Sequence, residues 1–176
     1  MLKKLIVSVA LATGSLVLAA PALASTHAAP AASRTAPAPS AAAVSPLLSA
    51  QDLATLLGQP GVRVLDIRAD KDYAGGHIPG AVNTPYGKYR GPQDNPGALP
   101  AEAALSALLQ AAGVDRDTHV VVVHGGADHT DFGAAARVYW TLKVGGLTRL
   151  SILDGGTKAW KAAGGALETT VPTVKP

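Results

Sequence analysis

The chain has no cysteine among its 176 residues, and this absence is the first constraint on its chemistry. Without a thiol the protein forms no disulfide bond and has no thiolate to act as a nucleophile. The fold therefore has to be stabilised by its hydrophobic core, and every reaction that runs through a cysteine thiolate is excluded.

Aromatic residues and clusters of basic residues are also scarce. Aromatic side chains make up 4% of the chain and are scattered, so they offer no platform on which bases stack. Of the formal net charge of +3, two units come from Lys3 and Lys4 at the amino terminus. No cluster of Lys and Arg elsewhere forms a basic patch of the kind that binds nucleic acid, so nucleic acid is not expected as a partner.

The first 24 residues have the order of parts that is typical of an export signal. Two lysines precede an apolar run over residues 5–20, Pro21 ends the run, and small residues occupy positions 22–24. We expect cleavage before Ser25 and a periplasmic or secreted mature protein that has no membrane segment. The alternative is a retained membrane anchor, but this run is shorter than the roughly 20 apolar residues of a bilayer span.

Three further segments follow this signal. Residues 25–45 are almost entirely Ala, Pro, Ser and Thr, a composition that predicts a disordered linker. Residues 46–170 are long enough for one compact domain with its own core. Residues 171–176 are then a tail, or the start of a linker to a second domain.

Strand and helix patterns alternate through the domain. Helical patterns cover residues 47–57, 101–112, 134–144 and a last segment around Trp160, and Ser49 is a possible N-cap of the first. Trp140 and Trp160 lie in helical patterns with apolar neighbours, so both are expected in the core. Extended patterns cover residues 62–67, a short segment from Val82, 119–123 and 150–153; residues 87–100 form a long surface loop. The four valines at 120–123 indicate a strand buried on both faces. This order predicts an α/β fold with a parallel sheet and ligands at the carboxyl ends of its strands.

Residues 124–133 form the most polar loop of the chain and lie after that buried strand. It carries imidazoles and carboxylates that are weak candidates for a metal site, although no regular ligand spacing is present: His124, Asp128, His129 and Asp131. A solvated loop without metal is the simpler interpretation, and we expect no cofactor.

The same loop has the features of an anion-binding site. Gly125, Gly126 and Gly133 let the backbone approach a ligand closely, and the amino end of the following helix favours negative charge. Arg137 from that helix and Arg90 from the loop opposite are candidates to add positive charge. The alternative for each arginine is a surface salt bridge.

Two motifs resemble the rhodanese-like (sulfurtransferase) family. They are VLDIRADKDYAGGHIPGAVNTP at residues 64–85 and LDGGTKAW at residues 153–160. The resemblance implies a three-layer α/β fold with a central five-stranded parallel sheet flanked by helices, and an active loop after the fourth strand. Asp66 and Arg68 then either pair to fix the fold or support an anion, and His77 hydrogen-bonds backbone in its turn.

In that family the residue after the fourth strand is the cysteine that carries sulfur, and here it is His124. The loop of ten residues from 124 to 133 is also longer than the family's active loop. Residues 132–140, FGAAARVYW, are similar to the non-catalytic amino-terminal domain of tandem thiosulfate/mercaptopyruvate sulfurtransferases. Because the chain has no cysteine, we expect the domain to be inactive as a persulfide carrier. The same absence excludes the cysteine-dependent phosphatase and arsenate reductase activities known on this fold.

Three hypotheses remain. The first is a non-catalytic exported domain that binds a small, thiosulfate-like anion or a protein partner, in particular a separate catalytic rhodanese domain. The second is the amino-terminal half of a tandem thiosulfate sulfurtransferase. The third, a metal-binding loop protein, has the weakest basis in the residues.

Overall fold

A computed structural model describes residues 44–174 as an α/β domain built on one sheet. Five parallel strands form the sheet in the order β1-β5-β4-β2-β3: β1 Leu47–Leu48, β2 Val62–Asp66, β3 Val82–Asn83, β4 His119–Val123 and β5 Leu150–Leu153. Five α-helices connect and cover them: α1 Ala50–Leu56, α2 Asp70–Ala74, α3 Glu102–Ala111, α4 His129–Val144 and α5 Gly156–Ala162. The expected fold class, a five-stranded parallel sheet flanked by helices, is confirmed.

Strand β4 lies at the centre of the sheet and is buried along its whole length. Val120 and Val122 belong to the core on the side of α3 and α4, whereas Val121 and Val123 belong to the core on the side of α1 and α5. Alternate side chains of a strand point to opposite faces, so a run of valines fills both cores. The prediction of a strand buried on both faces is confirmed.

Helix α1 begins where its cap was predicted. The Ser49 hydroxyl accepts a hydrogen bond from the Asp52 backbone at 3.1 Å, and the Asp52 carboxylate accepts one from the Ser49 backbone at 3.1 Å. Leu47 and Leu48 just before this cap pair with β5 as the edge strand β1. A strand of two residues is too short to show an alternating pattern in the sequence.

Helix α4 begins five residues earlier than the sequence predicted, at His129. The Asp128 carboxylate caps it by accepting hydrogen bonds from Thr130 N at 2.8 Å and Asp131 N at 3.0 Å. The loop after β4 is therefore only residues 124–128, and the expectation of a ten-residue loop was wrong. Gly133 lies inside the helix and not in the loop.

The prediction of a core position is confirmed for Trp160 and wrong for Trp140. Trp160 on α5 is buried, whereas Trp140 on α4 is 47% exposed and stacks against the Arg137 guanidinium, 4.8 Å from the ring centroid. The long loop predicted at residues 87–100 overlaps a 3-10 helix, Tyr86–Tyr89, and is irregular after it.

The loop after β4 is joined to the amino end of α5. Thr157 N donates to His124 O at 2.8 Å, and Lys158 N donates to Gly125 O at 3.0 Å. Gly156 permits this approach because its φ is +58° and a Cβ there would collide with His124 O. The loop is consequently fixed by two different elements of the fold.

The predicted signal segment and all but the end of the predicted linker lie outside the described residues. Within residues 44–174, no helix is long and apolar enough to cross a membrane. Residues 171–174 have no regular secondary structure.

Gly156→Ala tests how much stability depends on this junction. We expect it to lower the free energy of unfolding by roughly 3 kcal/mol or more, since it combines a left-handed backbone with a steric clash. Gly164→Ala is the matched control, because Gly164 has φ +82° with no atom near the position of its Cβ, so it should lose roughly 1 kcal/mol. Urea denaturation measures both; equal losses would show that the close contact with His124 O is unimportant.

Candidate functional site

His124 follows β4 directly and is buried, with 2% of its surface exposed. Its Nδ1 accepts a hydrogen bond from Gly126 N at 3.2 Å, and the Phe132 ring packs edge-on at 5.8 Å between centroids. Its Nε2 has no partner among the described residues. Because Nδ1 accepts, the geometry favours the tautomer whose hydrogen is on Nε2.

The Asp131 carboxylate fills the centre of the loop. Its Oδ2 accepts hydrogen bonds from Gly126 N at 2.7 Å and Ala127 N at 3.0 Å, and it lies 3.5 Å from His124 Nδ1. A Cβ on Gly125 would lie only 2.8 Å from Oδ2, so glycine there makes room for this carboxylate. The converging backbone NH groups that would hold an anion are thus already bound to an anion of the chain itself.

The amino end of α4 is occupied in the same way. Asp128 accepts from the first free NH groups of the helix, and the hydrogen bond from Asp131 N is the largest cause that lowers the pKa of its carboxyl. A lowered pKa in the folded state adds stability above the ordinary value of 3.8, and this contribution disappears as the pH falls through the lowered pKa. Two carboxylates therefore occupy the positions predicted for a ligand.

The four weak metal candidates do not form a ligand set. Within residues 44–174, no three His, Asp or Glu side chains are grouped as metal ligands would be. Asp128 and Asp131 are engaged by backbone NH groups, and His129 is exposed on the first turn of α4.

Asp66 and Arg68 form a bidentate ion pair at the end of β2. Arg68 Nη2 lies 2.6 Å from Asp66 Oδ2, and it also donates to Gly76 O at 2.9 Å. Asp66 is fully buried, so the pair joins the end of β2 to the turn before β3. The Arg68 side chain nevertheless borders the loop, since its Cδ lies 3.8 Å from the position of a Cβ on Gly125.

His77 stabilises the same turn. Its Nδ1 lies 3.0 Å from Tyr73 O and its Nε2 3.2 Å from Thr170 O, and its ring stacks on Tyr73 at 3.7 Å. It thereby joins α2 to the carboxyl-terminal segment, which agrees with the backbone contact expected for it.

The two other arginines differ in their relation to the loop. Arg137 does not point at it: Nη2 donates to Gly97 O at 2.7 Å and Ala98 O at 2.9 Å, and so holds the long loop before α3. Arg90 lies over the Tyr86 ring and borders an open groove at the amino end of α4. That groove is also lined by Asp128, Asp131 and Gly133.

The sequence did not reveal the role of Asp131. A pair of acidic residues three apart, Asp128 and Asp131, is a pattern typical of the first turn of a helix, and it would have predicted the start of α4. That Asp131 turns back to the NH groups of Gly126 and Ala127 depends on the position of the loop against α5. No local pattern contains that information.

A parallel sheet with a loop after its fourth strand, joined to the last helix, defines the class of the domain. The family model of the rhodanese-like domain matches residues 49–163. The chain belongs to the rhodanese-like domain family.

Relatives and a solved structure agree with this assignment. The chain is 38% identical over 122 residues to a thiosulfate sulfurtransferase of Pseudomonas aeruginosa, covering 69% of this chain and 44% of the relative. It is 35% identical over 118 residues to the thiosulfate sulfurtransferase of Bos taurus, covering 60% and 38%. The crystal structure of SseA from Escherichia coli, described as a 3-mercaptopyruvate sulfotransferase, has the same fold: TM-score 0.63 at 24% identity, over 75% of this chain and 53% of that one. The chain thus spans less than half the length of these two relatives.

Asp131→Ala tests whether the loop depends on its internal carboxylate. We expect it to lower the free energy of unfolding by about 1–3 kcal/mol, because two NH groups lose a charged acceptor. Thiosulfate should restore part of this loss by binding the freed NH groups, and urea denaturation at increasing thiosulfate measures the effect. Asp94→Ala, which removes the same charge from an exposed loop, is the control; equal responses of both variants to thiosulfate would contradict the account.

Proposed function

We propose that this chain is a non-catalytic rhodanese-like domain that acts by binding a protein partner. The observation that carries the proposal is the Asp131 carboxylate at the centre of the loop, in a chain that has no cysteine. Residues 1–24 support export, and the partner would then be found in the cell envelope or the medium.

Persulfide chemistry lacks its carrier in this chain. In that chemistry a thiolate attacks the outer sulfur of thiosulfate, a new S–S bond forms, and sulfite leaves with the electrons of the broken bond. The side chain at this position is the His124 imidazole, which is buried and has no sulfur. Sulfur transfer by the chain alone is therefore not part of the proposed function.

A small anion is the weaker of the two ligands considered for the loop. To reach the NH groups of Gly126 and Ala127, it would have to displace the Asp131 carboxylate. Asp131 is part of the chain, so it loses no translational entropy by binding there, whereas a free anion does. Any anion that bound without displacing it would be repelled by the carboxylates of Asp131 and Asp128. These two costs favour a protein partner.

The surface beside the loop offers such a partner a contact. An open groove of about 370 Å³ lies between the turn after β2 and α5, with Gly125 and Thr157 in its wall. Lys71 and Lys161 line it and have no ion pair with a described residue, whereas Arg68 is already paired; one carboxylate, Asp72, also lines it. The excess of positive charge favours an acidic segment of the partner.

A catalytic rhodanese domain is the partner that the comparisons favour. The relatives named thiosulfate sulfurtransferases are more than twice as long as the matched part of this chain. A second rhodanese domain, on a separate chain or further along the same one, would supply the missing cysteine. The chain would then contribute binding surface to an enzyme whose nucleophile lies elsewhere.

Thiocyanate production from thiosulfate and cyanide tests the catalytic half of the proposal. The purified protein should form thiocyanate no faster than buffer does. His124→Cys should also remain at background, because the new thiol is buried and Asp131 still occupies the NH groups; His124→Cys with Asp131→Ala should be faster than either. Turnover by the unchanged protein would refute the proposal, and turnover by His124→Cys alone would show that the loop is open to anions. Circular dichroism checks that each variant is folded.

Size-exclusion chromatography and calorimetry test the partner. A cysteine-bearing rhodanese domain of the same organism should bind this protein, and Lys161→Glu should weaken that binding about tenfold if the groove is the contact, which corresponds to about 1.4 kcal/mol. Lys143→Glu on α4 changes the net charge equally and should have little effect. Equal weakening by both variants would exclude the groove, and no binding to any such domain would exclude this partner.

A further inference from the structure

A second cavity lies on the other side of the fold from the groove beside α5, between α3 and α4. It has a volume of about 420 Å³, within the range of small-molecule sites. Its wall is polar and apolar in about equal parts, and the apolar part is formed by Leu99, Pro100, Leu105, Leu109 and Val144. Two of these apolar residues, Leu99 and Val144, are exposed, so the cavity opens to solvent through an apolar rim.

One polar group in this wall has no partner. Thr141 is fully buried, lines the cavity, and its Oγ1 makes no hydrogen bond with any described residue. Threonine hydroxyls inside helices usually donate to the preceding turn, and an unsatisfied buried hydroxyl is costly. A ligand with an oxygen or nitrogen atom would satisfy it.

The two ends of the cavity differ in charge. Glu102 is the first residue of α3, whereas Arg116 lies after its end, and α3 itself is about 15 Å long. Neither Glu102 nor Arg116 has an ion pair or a side-chain hydrogen bond with any residue of 44–174. A ligand with one negative charge would therefore place it at Arg116 and its apolar part toward α3 and Glu102.

We propose that this cavity binds an amphiphilic monocarboxylate. Its carboxylate would pair with Arg116 and accept a hydrogen bond from the Thr141 hydroxyl, and its apolar chain would cover the leucines of α3. The site is distinct from the loop after β4, because Thr141 lies near the end of α4 and Asp131 in its first turn. Ten residues of helix separate them by about 15 Å.

A small molecule fits the cavity better than a protein segment does. The Thr141 hydroxyl has no accessible surface, so a ligand reaches it only by inserting one atom between α3 and α4 as their side chains move apart. The cavity also combines, within the size of one small ligand, a patch of apolar side chains with Arg116, a cation that has no ion pair with a described residue.

Octanoate is the probe for this site, with octylamine and 1-octanol as charge controls. Calorimetry on the whole protein, below the micelle threshold of each probe, should give saturable one-to-one binding of octanoate and weaker binding of both octanol and octylamine. In amide NMR spectra, the octanoate shifts should be centred on Gly145 and Ser106. Equal binding of all three probes, or shifts elsewhere, would overturn the proposal.

Four variants identify the residues responsible. Arg116→Gln should weaken octanoate binding at least about fivefold, and Thr141→Val, which keeps the shape, should weaken it roughly three- to tenfold. Ser106→Phe should abolish binding by filling the cavity. Lys143→Gln removes the same charge as Arg116→Gln without lining the cavity, and it should bind octanoate as the unchanged protein does. Equal affinities of the Arg116 and Lys143 variants, or no octanoate binding by the unchanged protein, would overturn the proposal.

Discussion

The Asp131 carboxylate, held by the backbone NH groups of Gly126 and Ala127, is the interaction on which the site depends. It allows the chain to turn sharply after β4 and enter α4 at once, with Asp128 capping the helix. The loop is held from the other side by α5 through His124 O and Gly125 O. The backbone NH groups of Gly126 and Ala127 are in this way satisfied within the chain.

Local patterns were sufficient for most of the fold and insufficient for the site. The valine run of β4 and the capping box of Ser49 are local signals, and both elements form as predicted. The role of Arg137 depends instead on where residues 97–98 pass α4, a contact about forty positions apart in sequence. Long-range contacts of this kind leave no local pattern, so they appear only in the structure.

The rhodanese-like fold forms here without a cysteine after β4, because the contacts that stabilise the fold do not involve a thiol. The Asp66–Arg68 pair, the His77 turn and the Gly156 junction hold the sheet, the turn and α5 together, and none of them needs a thiol. The position after β4 is consequently free to carry a buried imidazole. A fold of this kind can contribute a binding surface even where it performs no chemistry.

A backbone-amide NMR titration of the isotope-labelled protein with thiosulfate tests the central claim most directly. If Asp131 occupies the NH groups, the Gly126 and Ala127 resonances of the unchanged protein should show no saturable shift, whereas those of Asp131→Ala should shift saturably. A saturable shift of these two amides in the unchanged protein would show that the loop binds anions despite Asp131, and would contradict the account.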